Sequence, residues 1–379
     1  MKKLLLVANV GWAFVSHRMP IGIAARAAGY EVHVATALDP RLDVDTERRL
    51  SEARLALHTM KFSRSGVHPF EILREIVGLF RLYRRLRPDV VHLITLKPVL
   101  LGGFVCRLLG HDATVFAIPG RGSVFSSKGL LASLRRRLVL WAYRFCYRPG
   151  RSKVIVQNIE DRDYFINNGI FESRDVRLIR GAGVDLASFW CTDEPRVEAT
   201  VVLASRMLRE KGIEDFVKAA HILKAKGLSC RLLLVGEPDN GNPHSHTEDE
   251  LKAWVAQGAV EWLGLRSDMQ RIFAESNIVC LPTYYGEGVP KVLIEAAASC
   301  RAIVTTDIPG CRDIVRHGVN GLLVPPRNPE ALADALGQLI QDRDLRERMG
   351  AKGRELVQSE FTLAKVTAQT LAIYNEQGH

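Results

Sequence analysis

The sequence predicts an α/β protein built from two doubly wound parallel-sheet domains. Its 379 residues exceed what one ordinary hydrophobic core organises. Short, nearly continuous apolar runs alternate with amphipathic helical segments, which is the pattern of buried parallel strands joined by helices. The pattern stops near the middle of the chain and restarts, so two sheets are expected. The predicted strands are 3–10, 31–36, 90–94, 113–118 and 153–158 in the first half, and 199–205, 230–236, 259–264, 278–283, 302–306 and 321–326 in the second.

The domain bounds follow from where this alternation is interrupted. The stretch SFWCTDEPRVE, from Ser188 to Glu198, has neither strand nor helix periodicity and carries a proline among charges. We therefore place a linker at 188–198, between domains spanning 1–187 and 199–355. Residues 356–379 are expected to form one closing helix that packs back on the first domain.

Composition and charge restrict the class of protein. Hydrophobic residues make up 47% of the chain and charged residues 25%, which excludes disordered and collagen-like classes. No stretch approaches the roughly 20 apolar residues needed to span a bilayer. Residues 1–190 hold 30 Lys and Arg against 16 Asp and Glu, a net charge of +14, and the remaining residues carry −4. The first half is thus expected to meet a nucleic acid, a phospholipid surface or a phosphorylated substrate.

Cysteine usage indicates a reducing environment. The seven cysteines are odd in number and scattered, without a CxxC pair. We therefore expect reduced, mostly packed thiols in a cytosolic protein.

One segment of the second half combines two glutamates with a helix start. It reads YYGEGVPKVLIEA from Tyr284 and follows a predicted strand. Pro290 lacks an N–H and suits the first helical position, so a helix is expected to begin near it, with Glu287 on the loop before it. Lys291 and Glu295 are then four residues apart on one helix face. The first turn offers N–H groups to an anion, but the helix dipole contributes only about 0.3–1 kcal/mol, so a diphosphate also needs cationic side chains.

Two cations follow the first predicted strand of the second half. The sequence SRMLREKGI places Arg206 directly after that strand and Lys211 five residues later. A guanidinium fork and a mobile ammonium together suit a clamp for two phosphates. Taken singly, these cations and the two glutamates are more simply explained as solvated surface charges. Their combination favours a diphosphate site.

The combined pattern resembles family 4 retaining glycosyltransferases of the GT-B fold, in which two Rossmann-like domains face each other across a cleft. The resemblance rests on Arg-x4-Lys-Gly and Glu-x7-Glu together with LLLVG, VEWLGLRSDM, IVTTDIPGCRDIV and NGLLVPP in the family's order. Three shorter motifs, HRMP, FSRSGVHPF at 62–70 and RSDM at 266–269, are similar to one branch of the family. That branch extends polyprenyl-diphosphate-linked oligosaccharides with N-acetylated sugars.

The resemblance implies roles for the residues of the second half. Arg206 and Lys211 hold the nucleotide diphosphate of a UDP-sugar, and Glu287 contacts the donor sugar near the reacting carbon. Glu295 accepts hydrogen bonds from ribose hydroxyls, and uracil lies near Gly236 and Glu237 and the strand end around Leu263. The full set of implied donor contacts is Gly11, Arg206, Lys211, Gly236, Leu263, Lys291, Val292 and Glu295, the N–H groups of Lys291 and Val292 meeting the phosphate.

The resemblance also implies an enzyme that needs neither a metal nor a cofactor. Glycosyltransferases of the other common fold hold a divalent cation through Asp-x-Asp, and the chain has such pairs at 43–45, 161–163 and 342–344. None follows a predicted strand in the expected loop, so all three are expected to be surface acids. Arg206, Lys211 and the helix start would replace the charge of the cation.

Three basic residues of the first half are candidates for binding the acceptor. Arg18 stands at a predicted helix start, where it is either a surface cap or a phosphate contact. Lys97 follows a strand, where the switch-point rule places ligands, and is expected to meet a phosphate or the sugar nucleotide. Arg121 stands in a loop where many family members carry a histidine.

The segment 128–151, KGLLASLRRRLVLWAYRFCYRPGR, mixes leucines and aromatics with arginines. This is the composition of an interfacial helix lying on anionic lipid. The alternative is a helix packed on its own sheet with its arginines in water. No nucleic-acid-binding motif accompanies the charge, so no nucleic-acid partner is expected.

These observations predict a cytoplasmic glycosyltransferase bound peripherally to the inner face of the cell membrane. It would move an N-acetylhexosamine or a related sugar from a UDP donor to a polyprenyl-diphosphate-linked saccharide, with retention, in surface polysaccharide, O-antigen or glycan assembly. Two alternatives stay open: a nonhydrolysing UDP-sugar 2-epimerase, which shares the architecture, and a noncatalytic scaffold that binds UDP.

Overall fold

The computed structural model describes residues 1–39, 43–63, 68–126, 129–196, 198–239 and 241–377. By its internal contacts the chain forms two compact units. Unit 1 begins at Met1, runs to Ala182 and includes the C-terminal helix from Leu363, and unit 2 is Gly183–Thr362.

Unit 1 is built on a parallel sheet that has seven strands among the residues described, in the order β3-β2-β1-β4-β5-β6-β7. The strands are β1 (Lys3–Val10), β2 (Glu31–Ala37), β3 (Ala56–Thr59), β4 (Val90–Ile94), β5 (Thr114–Ile118), β6 (Ser152–Val156) and β7 (Val176–Leu178). The helices are α1 (Gly11–His17), α2 (Met19–Ala27), α3 (Thr46–Glu52), α4 (Pro69–Leu86), α5 (Leu96–Leu108), α6 (Gly122–Ser126), α7 (Leu130–Cys146) and α8 (Ile159–Asn167).

Unit 2 repeats this plan with a parallel sheet whose described residues form six strands, in the order β10-β9-β8-β11-β12-β13. The strands are β8 (Thr200–Ala204), β9 (Arg231–Val235), β10 (Glu261–Trp262), β11 (Ile278–Leu281), β12 (Ala302–Thr306) and β13 (Gly321–Val324). The helices are α9 (Ile213–Ala225), α10 (Glu248–Ala256), α11 (Met269–Ala274), α12 (Lys291–Ala298), α13 (Cys311–Ile314), α14 (Pro329–Gln341) and α15 (Arg343–Glu360). The chain continues into α16 (Leu363–Gln377).

The central strands are buried on both faces, as their continuous hydrophobicity predicts. In β1, Leu5 and Val7 pack on one side of the sheet with Phe116 of β5. Leu4 and Leu6, which alternate with them, pack on the other side. Each such side chain contributes about 1.5–3 kcal/mol when it is fully buried. Helices pack on both faces of the sheet, one hydrophobic cluster on each side, which is the doubly wound arrangement.

The strand order reverses between β1 and β4 in unit 1 and between β8 and β11 in unit 2. At such a switch point the connections leave in opposite directions, and the carboxyl ends of the two strands border a crevice where ligands bind. The segments that follow β8 and β11 are therefore the place to look for a ligand site in unit 2.

The C-terminal region differs from the single helix predicted over 356–379. Helix α15 ends at Glu360, within unit 2, because Phe361 and Thr362 leave the helix to contact Val184. The N–H of Val184 donates to the carbonyl oxygen of Phe361 at 3.0 Å, and Val184 forms a β-bridge with Thr362. Only α16 packs on unit 1, where the hydroxyl of Tyr374 lies 2.5 Å from Nδ1 of His92.

One cysteine pair contradicts the expectation of reduced thiols throughout. Cys191 and Cys300 form a disulfide, with their Cα atoms 5.2 Å apart and a sequence separation of 109 residues. The fold brings the segment after Trp190 against the end of α12, a proximity that no local spacing shows. The remaining cysteines are free, and burial raises the pKa of the Cys106 thiol to about 12.

Within the described residues, no helix is both long enough and apolar enough to cross a membrane.

Candidate active site

The segment after β8 holds the two predicted cations. Arg206 is the second residue after β8, and Lys211 ends a 3₁₀ turn at Arg209–Lys211. Gly212 follows with a left-handed φ of +76°, and a Cβ there would collide with the carbonyl oxygen of Pro282. Only glycine permits this approach. The turn thereby brings Lys211 against the segment that follows β11.

Lys211 and Glu287 form an ion pair across the switch point. Lys211 Nζ lies 2.6 Å from Glu287 Oε1, and both side chains are 14% exposed. The hydroxyl of Thr283 donates to the same oxygen at 2.9 Å. Two donors on one oxygen hold the carboxylate in place. Lys211, which was predicted to bind phosphate, and Glu287, which was predicted to contact the donor sugar, are therefore neighbours.

Helix α12 begins directly after Pro290, near which its start was predicted. Pro290 is the N-cap residue in an extended conformation, and Lys291 is the first helical residue. The N–H groups of Lys291 and Val292 belong to the first turn, whose N–H groups have no acceptor within the helix. Lys291 Nζ lies 3.1 Å from Glu295 Oε1, as the four-residue spacing predicts. Burial raises the pKa of Glu295, and Lys291 opposes this rise.

Arg206 is held by a carboxylate that the sequence analysis did not single out. Its Nη1 donates to Oδ2 of Asp239 at 2.7 Å; the side chain of Arg206 is 46% exposed and that of Asp239 is 7% exposed. Asp239 follows β9, which neighbours β8 in the sheet. An acid placed shortly after a strand at the ligand edge is the signal that could have identified it.

The predicted uracil contacts are adjacent to each other. The N–H of Gly236 donates to the carbonyl oxygen of Gly264 at 2.8 Å, and the N–H of Leu263 donates to that of Leu234 at 2.9 Å. The indole N–H of Trp262 donates to the carbonyl oxygen of Gly236 at 2.7 Å. Gly236 and Leu263 thus lie at the carboxyl ends of β9 and β10, on the β9 side of Arg206.

A second glycine shapes the loop that carries Glu287. Gly310 has a left-handed φ of +79°, and a Cβ there would collide with the carbonyl oxygen of Gly288. The loop after β12 therefore packs directly on the Glu287 loop, and a larger residue at Gly310 would displace it.

The acceptor candidates of unit 1 occupy different environments. Arg18 is not a surface cap: it is 7% exposed, and burial lowers its pKa. With the Gln157 amide oriented to satisfy its neighbours, its oxygen accepts from Arg18 Nη2 at 3.0 Å. Arg121 pairs with Asp161 at 2.6 Å and stacks over the ring of Tyr164.

Lys97 has protein partners in place of the predicted phosphate or sugar nucleotide. Its Nζ donates to Glu75 Oε1 at 2.7 Å, to Ser63 Oγ at 2.8 Å and to the carbonyl oxygen of Ser63 at 2.9 Å. An ammonium has three N–H donors, and these acceptors use all of them. The reason is the carboxylate of Glu75, which is fully buried and needs a cation to offset its desolvation.

Gly11 begins α1 directly after β1, and a Cβ there would lie 2.5 Å from Oδ1 of Asp43. Its donor contact stays a prediction.

The Asp-x-Asp segments are only partly surface acids. Asp43 and Asp161 are buried, and hydrogen bonds satisfy both of them: Asp43 accepts from the hydroxyl of Thr46, and Asp161 is bonded to Asn158 at the start of α8. Asp342 caps α15 through the N–H of Leu345. Throughout the described part of the chain, no three His, Cys, Asp or Glu side chains are arranged to hold a metal ion.

Helix α7 combines both interpretations offered by its sequence. Val139, Tyr143 and Cys146 pack on unit 1, so the helix is part of the fold. Its opposite face exposes large apolar side chains and continues onto α5, where Phe104 stacks on Phe145 at 6.0 Å. We call this the α5–α7 apolar surface: Phe104, Leu108, Leu130, Leu131, Leu134, Leu138, Trp141 and Phe145.

The fold and this edge of unit 2 define a class of protein. Two doubly wound parallel sheets, the second carrying cations and carboxylates at its switch point, are the GT-B architecture of nucleotide-sugar-dependent glycosyltransferases. The family described as "Glycosyl transferase 4-like" matches residues 3–158, and "Glycosyl transferases group 1" matches residues 190–356. The chain belongs to these glycosyltransferases and is a transferase enzyme, which confirms the predicted fold class and family.

Named relatives support the same family. The chain is 25% identical, over 98% of its length and 94% of the relative, to the N,N'-diacetylbacillosaminyl-diphospho-undecaprenol alpha-1,3-N-acetylgalactosaminyltransferase of Campylobacter jejuni. It is 22% identical, over 81% of both chains, to the capsular polysaccharide biosynthesis glycosyltransferase CapM of Staphylococcus aureus.

Solved structures share the fold. Sucrose-phosphate synthase from Thermosynechococcus elongatus superposes with a TM-score of 0.79 at 20% identity, over 99% of each chain. Anabaena HepE in complex with UDP-glucose gives 0.78 at 17% identity, over 98% of this chain and all of that one.

Proposed function

We propose that this glycosyltransferase moves a sugar, an N-acetylhexosamine in the first instance, from a UDP donor to a polyprenyl-diphosphate-linked saccharide with retention of configuration. The observation that carries the proposal is the grouping of Arg206, Lys211, Glu287 and the start of α12 after β8 and β11. Arg206, Lys211 and the helix start suit the diphosphate in the middle of a nucleoside-diphosphate sugar. Glu287 suits the sugar at one end, and Glu295 on α12 suits the ribose of the nucleoside at the other.

The charges of this group match the demands of the donor. Departure of UDP develops negative charge on the β-phosphate, which the guanidinium of Arg206 and the ammonium of Lys211 would stabilise. Helix N–H groups at Lys291 and Val292 would add to this. Glu295 would accept from the ribose hydroxyls. The proposal includes no metal or cofactor, since these cations take the place of a divalent ion.

The transfer itself needs few groups from the protein. The bond between the anomeric carbon and the β-phosphate oxygen breaks, and the acceptor hydroxyl forms a new bond on the same face of the sugar. The hydroxyl proton passes to the departing phosphate oxygen, so UDP leaves as the product. Glu287 would hold the donor sugar beside this reaction, and catalysis would depend on positioning and on charge stabilisation.

The acceptor proposal rests on unit 1 and on the relatives. The Campylobacter jejuni relative bears the name of an enzyme acting on an undecaprenol-diphosphate-linked sugar. Arg18 is a buried guanidinium whose amide partner carries no charge, and an anion would offset its desolvation. We propose that Arg18 and Arg121 face the acceptor diphosphate and that Lys97 does not.

We further propose that the enzyme binds to the inner face of the cell membrane from the cytoplasm. Arg135 and Arg137 accompany the α5–α7 apolar surface on α7, and the first half of the chain carries a charge of +14. Apolar side chains among arginines suit the headgroup region of an anionic bilayer. Sedimentation with anionic liposomes should therefore fall as salt rises, and indifference to lipid and to salt would contradict this part of the proposal.

The central test incubates the purified protein with a panel of UDP-sugars and a polyprenyl-diphosphate-linked monosaccharide, and measures UDP release together with product mass. The expected result is UDP release with a mass gain of one sugar. UDP-sugar converted to its epimer without acceptor would indicate the epimerase. UDP binding without turnover across the panel would favour the scaffold.

A further inference from the structure

The loop after β9 is joined to the segment that carries Arg206 by backbone hydrogen bonds at several described residues. The N–H of Met207 donates to the carbonyl oxygen of Glu237 at 3.1 Å, and the N–H of Arg209 donates to that of His244 at 2.9 Å. The N–H of His246 returns a bond to the carbonyl oxygen of Met207 at 2.8 Å. These backbone bonds tie the residues that follow Arg206 to the loop after β9.

The approach of the two loops depends on a glycine. Gly236 has a left-handed φ of +133°, and a Cβ there would collide with the carbonyl oxygen of Ser205. Ser205 immediately precedes Arg206, so the β9 loop begins in direct contact with the backbone of the donor-site segment.

The backbone of Asp239 is hydrogen-bonded within this loop. Its N–H donates to Oγ of Ser245 at 2.8 Å, and the hydroxyl of Ser245 donates in turn to the carbonyl oxygen of His246 at 2.9 Å. The side chain of Asp239 is 7% exposed, whereas that of its partner Arg206 is 46% exposed. The carboxylate is thus buried on a loop whose backbone is bonded in place, and the guanidinium that it holds reaches solvent.

We infer that Asp239 is a positioning residue for donor binding, which orients the guanidinium of Arg206 toward the donor diphosphate. The inference rests on the proposed role of Arg206. An arginine free to rotate loses side-chain entropy when it binds a phosphate, and an arginine already held by a buried carboxylate loses less. Asp239 would therefore strengthen UDP binding without touching UDP.

A competing role predicts the opposite sign. A carboxylate beside a phosphate site can act as an internal competitor that neutralises the arginine and must be displaced by the ligand. Removing a competitor tightens UDP binding, whereas removing a positioning residue weakens it. The burial of Asp239 and its bonded loop favour positioning, because a competitor needs room to withdraw.

The test is a double-mutant cycle on the full chain with UDP as the probe, measured by calorimetry. Asp239→Ala should weaken UDP binding about tenfold, the order expected when a charge-assisted hydrogen bond is lost. In an Arg206→Gln background the same change should alter affinity less than twofold, because Asp239 acts through Arg206. A purely structural role would give the same loss in both backgrounds. Asp239→Asn, which keeps the shape of the side chain, should give an intermediate loss and serves if the alanine variant does not fold.

The control variant is Glu261→Ala. Glu261 pairs with Arg231 at 2.8 Å, so this change also removes the carboxylate of an arginine pair in unit 2, and it should leave UDP affinity unchanged. Tighter UDP binding by Asp239→Ala, or equal losses in both backgrounds, would overturn the inference. Absence of UDP binding by the unsubstituted chain would overturn the proposed function and this inference with it. UDP binding that Arg206→Gln weakens and Asp239→Ala leaves unchanged would overturn this inference alone.

Discussion

The ammonium of Lys211 and the carboxylate of Glu287 lie 2.6 Å apart, joining the segment after β8 to the segment after β11. The pair places a cation suited to a phosphate directly beside a carboxylate suited to a sugar. Both side chains are largely buried, and Thr283 also donates to the paired carboxylate oxygen.

Glu287→Gln should separate binding from chemistry. The amide keeps the size of the side chain and can still accept from Lys211, so we expect UDP affinity within about threefold of the unsubstituted protein. Loss of the negative charge beside the donor sugar should lower the rate of transfer by about 100-fold or more. UDP titration and sugar transfer, measured on the same preparation, check the two parts. Unchanged turnover would remove the role assigned to Glu287.

Gly310→Ala should destabilise the protein more than an equivalent change elsewhere. Both Gly310 and Gly318 have a left-handed φ, which costs an alanine about 1–2 kcal/mol. A Cβ at Gly310 also collides with the carbonyl oxygen of Gly288, whereas a Cβ at Gly318 meets nothing within 4 Å. We expect a loss of about 3 kcal/mol or more for Gly310→Ala and about 1 kcal/mol for Gly318→Ala in urea unfolding. Equal losses would show that the loop yields to the added carbon.

The disulfide between Cys191 and Cys300 should stabilise the protein. A cross-link across 109 residues restricts the unfolded chain, and we expect Cys191→Ser to cost about 2–4 kcal/mol. Cys230→Ser, at a free and half-buried thiol, serves as the control and should cost less. Unfolding with and without reductant provides the second measurement. If reductant leaves the midpoint of the unsubstituted protein unchanged, the cross-link contributes nothing.

Stability should fall on the acid side because of His92. Burial and, to a smaller extent, the positive charge of nearby Arg18 together lower the pKa of His92 to about 3, whereas an unfolded histidine titrates near pH 6.5. Between these values the unfolded chain binds a proton that the folded chain does not. The stability from neutral His92 is thus fully present above pH 6.5 and is lost as pH falls towards 3, by about 2 kcal/mol near pH 5.

His92→Gln should flatten this acid dependence, because glutamine does not titrate and can still bond to Tyr374. His244→Gln, at an exposed histidine, should keep the slope of the unsubstituted protein. Unfolding free energies between pH 7 and pH 4.5 compare the three proteins. Identical slopes in all of them would assign the acid sensitivity to other groups.

Exposed leucines of α7 should govern binding to lipid without affecting stability. Leu134 and Leu138 are 64% and 62% exposed, so the double change to glutamine should leave the unfolding midpoint in place. Loss of two apolar contacts with the bilayer should lower liposome association about tenfold or more. The matched control changes Leu265 and Val319, exposed apolar residues of unit 2, and should have no effect. Equal effects of the two double variants would show that the α5–α7 apolar surface is not the lipid contact.

The sequence predicted long, strongly hydrophobic elements well and short edge elements poorly. The central strands β1, β4 and β5 were predicted within a residue or two, because both faces are buried and the apolar run is continuous. Strands β3 and β7, at the edges of the first sheet, were missed, and β10 is shorter than its predicted run. An edge strand is paired on one side only and needs no continuous apolar run, so it gives a weaker signal.

By itself, the sequence determined the alternation of strand and helix, the two-unit plan, the concentration of positive charge in the first half and the presence of the residues that we propose for the donor site. These properties are local, because periodicity, capping and composition depend on residues that lie within a few positions of each other in the sequence. The tertiary structure alone decided which side chains meet: Lys97 with Glu75, Arg206 with Asp239, and Cys191 with Cys300. Partners separated by 22 to 109 positions come together only when parallel strands align their carboxyl ends and helices pack across them. A buried carboxylate then forms an ion pair with the cation that the fold places beside it, because leaving the carboxylate unpaired costs several kcal/mol.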